Sequence, residues 1–297
     1  LAVTIPFLFF KDTRKNFKRT LFTFAIVSFA FLALDYNIGD LNKIGHAGLI
    51  QIILTACPIG IFWITLFVRW NYRHIKTRES RTPLFLSCFA WGLFALAYPP
   101  MPLGPAALLL LVPWFIVLNR FTRGQAMFAT FWSGMLYNTI NYYWIYNVMH
   151  VETAPSGLIL LGLFLLIAFF SAYNTLAGFV YTLAKEAPAK IRIVLLILFP
   201  IFYAGLEMTR TYGDFAFPWS HLGYVFGNSL ELLQMLPYIG IFGYTILVIA
   251  SNQAVAQTLC KVQDIKKAIP VLAVPLSIFV VLLIQGSIVL SKTEAQP

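Results

Sequence analysis

The sequence predicts an all-α, polytopic membrane protein: a bundle of about nine transmembrane helices with its N-terminus inside and its C-terminus outside. Three observations predict this fold class, namely the composition, the lengths of the apolar segments and the distribution of basic residues. Of the 297 residues, 60% are hydrophobic and only 11% are charged, whereas a soluble domain carries about 25% charged residues. Such a composition cannot cover a surface that faces water, so we expect most of the chain to lie in lipid.

Nine apolar segments account for most of the chain, and several are long enough to cross the ~30 Å of hydrocarbon in a bilayer. They are typical of helices, because the strands of a membrane barrel show shorter segments of alternating hydrophobicity. The turn YPPMPLGP separates the third segment from the fourth, since prolines end one helix before the next begins. The predicted spans are 20–36, 47–69, 83–98, 103–119, 125–147, 157–183, 191–209, 236–259 and 269–290.

The basic residues predict the orientation of these spans. Eighteen of the 21 Lys and Arg residues lie in the N-terminal run and in the loops after the second, fourth, sixth and eighth spans. Cytoplasmic loops carry such an excess of Lys and Arg. The predicted outer segments are therefore 37–46, 99–102, 148–156, 210–235 and the C-terminal tail. Because this topology also accounts for the net charge of +10, we expect no nucleic-acid partner.

Charged and aromatic residues gather in the outer segment EMTRTYGDFAFPWSHLGY, residues 207–224. Glu207 and Arg210 lie three residues apart, on one helix face at the outer end of the seventh span. One interpretation is an ion pair at the membrane interface. The other is a polar anchor for a lipid phosphate or for the substrate, because the planar arginine fork binds oxyanions and ionisable groups near membrane depth are often functional.

The aromatic residues of the same segment also have two interpretations. Phe217, Pro218, Trp219 and Tyr224 fit the aromatic belt that marks a membrane interface. The loop from 210 to 235 is, however, too long and too apolar for a plain connection. These residues therefore also fit a lid or gate over a cleft that is open to lipid.

A second aromatic cluster lies at the outer end of the fifth span and has the same two interpretations, belt or lipid entry. Its members are Tyr142, Tyr143, Trp144 and Tyr146. His150 and Glu152 follow it, but His150 and His221 lack the spacing of a metal motif, so we expect no metal site.

The cysteines do not predict a catalytic nucleophile. Cys57 and Cys88 fall inside spans, and Cys260 lies at a cytoplasmic helix end. A thiol nucleophile needs a nearby base or positive charge and access to its substrate. None of the three is expected to reach the outer loop, so we predict no catalytic residue in this chain.

Taken together, the outer segments resemble the membrane portion of bacterial apolipoprotein N-acyltransferase. The signature of that family runs from a glutamate to an arginine three residues later, then to Phe-Pro-Trp and Gly-Tyr. Glu207, Arg210, 217–219 and 223–224 follow it in order and spacing. The segment AYPPMPLGPAALLLL, the Trp-x-Tyr at 144–146 and the run at 232–256 are also similar, and the resemblance extends over about 83–290.

The resemblance implies an enzyme of lipoprotein maturation in the bacterial inner membrane, with its active side facing the periplasm. Such an enzyme transfers an acyl chain from a phospholipid, through a cysteine thioester, to the N-terminal S-diacylglyceryl-cysteine of an apolipoprotein. Glu, Lys and Cys of a nitrilase-like domain supply the base, the oxyanion support and the nucleophile, and no cofactor takes part. The outer residues named above would then bind the lipid or gate its entry.

The chain departs from the family pattern at both ends. Residues 1–82 add two predicted spans, 83–291 form a predicted seven-helix membrane domain, and 292–297 fall where the nitrilase-like domain would begin. We therefore expect a fragment that is inactive alone and needs a separate or downstream nitrilase-like domain. Two alternatives stay open, a lipid transporter or flippase and a non-catalytic membrane scaffold. A transporter requires ionisable groups deep in its spans, whereas here they lie near the ends.

Overall fold

The computed structural model describes residues 68, 70–101, 103–149, 156–212, 216–261 and 269–294. The chain divides into two compact units, residues 1–77 and 78–297. In the first unit, the described residues 70–76 are helical. Several features predicted above lie outside the described residues: the span 20–36, the span 47–69 apart from residue 68, Cys57, His150, Glu152 and residues 295–297.

Every regular element in the described part of the second unit is a helix, as the sequence predicts. The α-helices are α1 (Arg81–Ala95), α2 (Ala107–Leu110), α3 (Val112–Arg120), α4 (Arg123–Tyr142), α5 (Trp144–Met149), α6 (Ser156–Glu186), α7 (Ala189–Met208), α8 (Leu230–Leu233), α9 (Leu236–Lys261) and α10 (Ile269–Glu294). Short 3-10 helices lie at Arg78–Ser80, Gly104–Ala106, Thr209–Thr211 and Leu222–Phe226.

Within the described part of the chain, three helices are long and apolar enough to cross a membrane: Ser156–Glu186, Ala189–Thr211 and Leu236–Lys261. Shorter apolar helices lie at Gly104–Arg120 and Val280–Lys292. The chain is thus a helical membrane protein. The count of nine spans and their orientation stay predictions.

Six of the described helices in the second unit pack in a closed series of contacts. Helix α1 packs on α4, α4 on α6, α6 on α7, α7 on α9, α9 on α3, and α3 again on α1. Helix α3 also contacts α4 and α6, and its Trp114, Phe115 and Val117 are fully buried. This short helix therefore lies at the centre of the bundle.

Aromatic rings fill the space around α3. The Phe115 ring lies 5.3 Å from Tyr181 of α6 and 6.1 Å from Phe199 of α7, between ring centroids. On the other side, Trp114 lies 5.2 Å from Trp91 of α1. Pairs of this kind contribute about 0.5–1.5 kcal/mol each beyond the area that they bury. They join α1, α3, α6 and α7 in one core.

The predicted span 103–119 is not one continuous helix, because it breaks at Leu111 between α2 and α3. The side chain of Asn252 on α9 stabilises the break. Its Oδ1 accepts the Leu111 N–H at 2.7 Å, and its Nδ2 donates to the Ala107 carbonyl at 2.7 Å. Backbone groups left free by the break are thereby paired, as burial in a membrane protein requires.

The C-terminal ends of α3 and α6 meet near the start of α4, where several helix ends are capped. Thr122 and Gln125 form a capping box at the start of α4, which satisfies two orphan N–H groups. The Lys185 ammonium donates to the Leu118 carbonyl at 2.7 Å, where a cation also complements the negative end of the α3 dipole. These contacts stabilise the end of the bundle at which the chain turns from α3 into α4.

Candidate functional site

Arg210 holds the segment that carries the Phe-Pro-Trp sequence. It lies in the 3-10 turn after α7 and is only 8% exposed. Its Nη2 donates to the Trp219 carbonyl at 2.7 Å and to the Tyr142 hydroxyl at 2.9 Å. The Phe217 N–H in turn donates to the Arg210 carbonyl at 2.7 Å. Arg210 therefore binds the backbone of this segment on both sides of Pro218.

The Arg210 guanidinium also lies over an aromatic ring. Its Cζ is 4.4 Å from the centroid of Phe170 on α6, a distance at which a cation–π interaction contributes about 0.5–2 kcal/mol. The charge of this buried side chain is thus stabilised by a ring, a carbonyl and a hydroxyl.

Glu207 joins the end of α7 to the segment that follows Trp219. Its carboxylate is buried and accepts the Leu222 N–H at 3.0 Å through one oxygen and the Thr245 hydroxyl at 2.7 Å through the other. The Thr245 hydroxyl, on α9, also accepts the Gly223 N–H at 3.2 Å. A carboxylate that accepts two hydrogen bonds in the interior is a strong positional constraint.

The spacing of Glu207 and Arg210 suggested an ion pair, and that interpretation is wrong. Within the described part of the chain, no ion pair joins these two side chains. The physical reason is that both Glu207 oxygens face Leu222 and Thr245, whereas Arg210 turns towards Trp219 and Tyr142. The two residues act on opposite ends of the same segment.

Three tyrosines complete the attachment of the segment at Ser220. The Tyr98 and Tyr137 hydroxyls lie 2.9 Å and 3.1 Å from the Ser220 carbonyl, and the Tyr142 hydroxyl bonds the Ser220 hydroxyl. Ser220 has φ +53°, a left-handed conformation that is uncommon for residues other than glycine. The hydrogen bonds from α4 and from Tyr98 in the turn after α1 hold it there. We call residues 216–221, so attached, the anchored loop.

The turn after the anchored loop packs closely on α9. A Cβ atom at Gly223 would contact the Ile241 carbonyl and come within 3.0 Å of the Tyr244 side chain. Only glycine permits this approach. Leu222, Val225 and Phe226 of the same turn are buried, so this part of the predicted outer loop is packed into the bundle.

His221 is a buried imidazole beside Glu207. It is 1% exposed, and its Nδ1 lies 3.7 Å from the Glu207 carboxylate. Its ring contacts Phe242 and Tyr224. Burial and the positive charge of Arg210 lower the pKa of His221 to about 4, so the imidazole is neutral at pH 7. Among the described residues, no group of three or more His, Cys, Asp or Glu is placed to hold a metal.

The aromatic residues predicted from the sequence divide into buried and exposed members. Phe217 is half-buried and packs on Tyr142 and Phe170, each 5.2 Å away. Trp219 is 55% exposed and contacts Trp144, with 5.4 Å between ring centroids. The structure therefore brings together Trp219 from the loop and Trp144 from α5, two residues that are far apart in the sequence.

The remaining predicted residues are close to these two tryptophans in the chain. Pro218 is exposed, and Tyr146 is partly buried. Tyr143 is 63% exposed and Tyr224 is 40% exposed. The described cysteines, Cys88 and Cys260, have free, partly buried thiols, and neither belongs to this site.

Comparison with known proteins identifies the family. The family model for the apolipoprotein N-acyltransferase N-terminal domain matches residues 90–254. That range is more than half of the chain and contains both the anchored loop and every residue described above as attaching it. The chain belongs to the apolipoprotein N-acyltransferase family.

A curated relative carries the same name. The apolipoprotein N-acyltransferase of Geobacter metallireducens (strain ATCC 53774 / DSM 7210 / GS-15) is 27% identical over 187 residues, which is 61% of this chain. The matched region is 35% of that relative, so the chain spans about a third of its length.

Several residues that build the site in this member of the family were not among the residues predicted from the sequence. They are Tyr98, Tyr137, Ser220 and Thr245. Tyr142 was predicted only as a member of the aromatic cluster at the end of the fifth span, and not as a residue that binds Ser220. Tyr98 and Thr245 lie in other parts of the bundle, and nothing in the local sequence relates them to Ser220 or Glu207.

Proposed function

We propose that the chain is the membrane part of a phospholipid:apolipoprotein N-acyltransferase. In this reaction an acyl chain passes from a phospholipid, through a cysteine thioester, to the amino group of an N-terminal S-diacylglyceryl-cysteine. The observation that carries the proposal is the anchored loop. Its Phe-Pro-Trp sequence and the Glu and Arg that hold it lie within the family match, and buried side chains keep it in one conformation.

In this proposal the exposed aromatic residues form the entry for the acyl chain. Trp219 and Trp144 contact each other at the loop. Amphipathic rings at such a position bind the interface between acyl chains and head groups. Glu207, Arg210 and Phe217 are positioning residues, since their hydrogen bonds and packing fix the conformation of the loop. The neighbouring residues in the chain, which would extend the entry, are Tyr143, Tyr146, Pro218 and Tyr224.

We assign the reacting thiol to a nitrilase-like domain, either downstream in the same polypeptide or separate. The position of Cys260 supports this assignment. The turn after the anchored loop packs on Ile241, and Cys260 lies near the other end of the same helix, α9. At 1.5 Å per residue, about 28 Å of helix separates Ile241 from Cys260. This thiol is therefore too far from the loop to react with a lipid bound there.

The proposed location is the inner membrane, with the anchored loop facing the periplasm. The distribution of Lys and Arg supports this orientation, because the predicted outer segments contain few of them and cytoplasmic loops contain many. The proposed partners are a phospholipid acyl donor and the diacylglyceryl-cysteine of an apolipoprotein.

The test is N-acylation of a lipoprotein in a bacterium depleted of its own apolipoprotein N-acyltransferase. The protein is produced from its natural gene, together with the nitrilase-like protein where that domain is a separate polypeptide, and the mass of the lipoprotein's N-terminal peptide is measured by mass spectrometry. We expect the unmodified protein to yield the acylated N-terminal peptide. The Trp219→Ala variant should yield about tenfold less of it, because truncation of an aromatic anchor costs more than ~1 kcal/mol of binding free energy.

The matched control is Phe85→Ala, which removes another exposed aromatic residue (68% exposed) near the start of α1. This variant should acylate normally. Absence of the acyl chain with the unmodified, membrane-inserted protein would overturn the proposal and favour a transporter or a scaffold. Equal activity of the two variants would overturn the entry role of Trp219.

A further inference from the structure

A small recess opens between α6, α7 and the turn that carries Arg210. Its lining residues are Tyr173, Asn174, Tyr203, Leu206, Glu207 and Arg210. Its volume of about 10 Å³ has room for about one water-sized atom, far less than the ~300–1,000 Å³ of a pocket for a whole small molecule. The recess therefore suits a single oxygen atom of a larger ligand.

Two buried donors of this recess have no partner among the described residues. They are the Nε of Arg210 and the Nδ2 of Asn174, in side chains that are 8% and 7% exposed. Asn174 is held by the Tyr203 hydroxyl, which donates to its Oδ1 at 3.3 Å. Buried N–H groups without an acceptor are rare and unfavourable, so these donors indicate a missing acceptor.

The acceptor is not Glu207, although that residue also lines the recess. Both Glu207 oxygens already accept hydrogen bonds from Leu222 and Thr245. Arg210 thus offers the recess a cation and a free N–H, a combination that binds the oxygen of an anion better than a neutral acceptor.

The surroundings of the recess are apolar. Leu206 and Tyr173 are half-buried at its wall, and the neighbouring Phe169 of α6 and Phe202 of α7 are 48% and 37% exposed. An anion with apolar chains fits this setting. We propose that the recess binds a phosphate oxygen of a phospholipid through Arg210 and Asn174. Only the assignment of this lipid as the acyl donor rests on the proposed function.

The test measures lipid retention without any transferase reaction. The full chain is purified in detergent and incubated with phosphatidylglycerol, with diacylglycerol of the same acyl chains, or with inorganic phosphate, and bound molecules are counted by native mass spectrometry. We expect retention of phosphatidylglycerol over diacylglycerol, with competition by inorganic phosphate. Asn174→Asp keeps the shape and the acceptor for Tyr203 but repels phosphate, so retention should fall about tenfold.

Leu206→Trp is a second variant, which fills the recess without altering Arg210 and should also release the lipid. Asn147→Asp is the matched control, because it adds the same charge at an exposed position on α5 and should retain the lipid. Equal retention of phosphatidylglycerol and diacylglycerol would overturn the proposal and leave a recess filled by water. Binding of inorganic phosphate without preference for the phospholipid would overturn the lipid as its source.

Two combinations of results separate this lipid site from the proposed function. Normal N-acylation together with unselective lipid retention would remove the recess from the reaction and leave the transferase assignment intact. Selective retention that is lost in Asn174→Asp, without N-acylation, would support the recess as the lipid site of a non-catalytic membrane protein.

Discussion

At the scale of single residues, the site depends on a few buried polar side chains that each bond the backbone of a distant segment. Glu207 pairs with Leu222 and Thr245, and Arg210 pairs with Trp219. Such a hydrogen bond adds little net stability when it forms, but a buried partner that is left unpaired costs about 1–3 kcal/mol. These bonds therefore fix the position of the segment more than they stabilise the bundle. Their loss should free the anchored loop before it unfolds the bundle.

Glu207 is predicted to act through its two hydrogen bonds. Glu207→Ala leaves the Leu222 N–H and the Thr245 hydroxyl without an acceptor, so cleavage of the anchored loop in limited proteolysis should accelerate about tenfold or more. Glu207→Gln retains an oxygen for Leu222 and should behave much like the unmodified protein. If the Gln variant is cleaved as fast as the Ala variant, the negative charge is what matters. Glu186→Ala, close to the other end of α7, is the control.

The buried imidazole of His221 should make the stability of the fold depend on pH. Its pKa is lowered to about 4 in the fold, against about 6.5 in an unfolded chain. Between these values the unfolded state binds more protons, so the stability from the neutral ring is complete above about pH 6.5 and is lost as the pH falls towards 4.

His221→Phe removes this titration and keeps an apolar ring beside Phe242. The difference in melting temperature between the two proteins in detergent should therefore shift by a few degrees in favour of the variant when the pH is lowered from about 7.5 to about 4.5. A difference that does not change with pH would contradict the prediction.

At the scale of helices, the break between α2 and α3 depends on α9. Asn252 pairs with the Leu111 N–H and the Ala107 carbonyl, and Ser251 donates to the Leu108 carbonyl at 3.0 Å. Without these partners, α2 and α3 would leave polar backbone groups exposed to an apolar core. A continuous helix pairs its own backbone groups, but this broken one requires its neighbour.

We predict that Asn252→Leu destabilises the bundle by about 3 kcal/mol, because it leaves two buried backbone groups unpaired at ~1–3 kcal/mol each. Thermal unfolding in detergent measures the change. Thr258→Ala on the same helix removes only a hydrogen bond within α9 and should change stability by less than about 0.5 kcal/mol. A similar melting temperature for Asn252→Leu and the unmodified protein would show that the break is stable by itself.

At the scale of the whole molecule, the proposed function depends on which side of the membrane the anchored loop faces. Helix α7 has 20 residues, which corresponds to about 30 Å and matches the thickness of the hydrocarbon core. Lys190 and Tyr212 lie near its two ends and are both exposed. They therefore report the orientation of the same span.

Single cysteines at these two positions test the orientation, in a protein whose Cys57, Cys88 and Cys260 are replaced by serine. A maleimide that cannot cross the membrane should label Tyr212→Cys in intact cells or spheroplasts, and Lys190→Cys only after permeabilisation. The reverse pattern would place the loop in the cytoplasm and contradict both the topology and the proposed function.

Much of the fold was predictable because membrane helices have a strong local signal. Each predicted span from residue 83 onwards corresponds to one helix or to two consecutive helices. The break at Leu111 was not predictable, since its cause is Asn252, which is distant in the sequence. The ion pair of Glu207 and Arg210 was a reasonable expectation from their spacing on one helix face, but the α-helix ends between them and each side chain finds backbone partners instead.

Composition and spacing alone determined that this chain lies in a membrane as helices and that residues 207–224 form its distinctive segment, because hydrophobicity and motif order are local properties of the chain. Only the tertiary structure decided what that segment does with its polar residues. Tyr98, Tyr142 and Thr245 come from separate parts of the bundle to bind it. Asn174 and Arg210 line one recess, and each has an N–H donor without an acceptor among the described residues. The physical reason is that a hydrogen bond in an apolar interior depends on which helices pack together, and no short stretch of sequence contains that information.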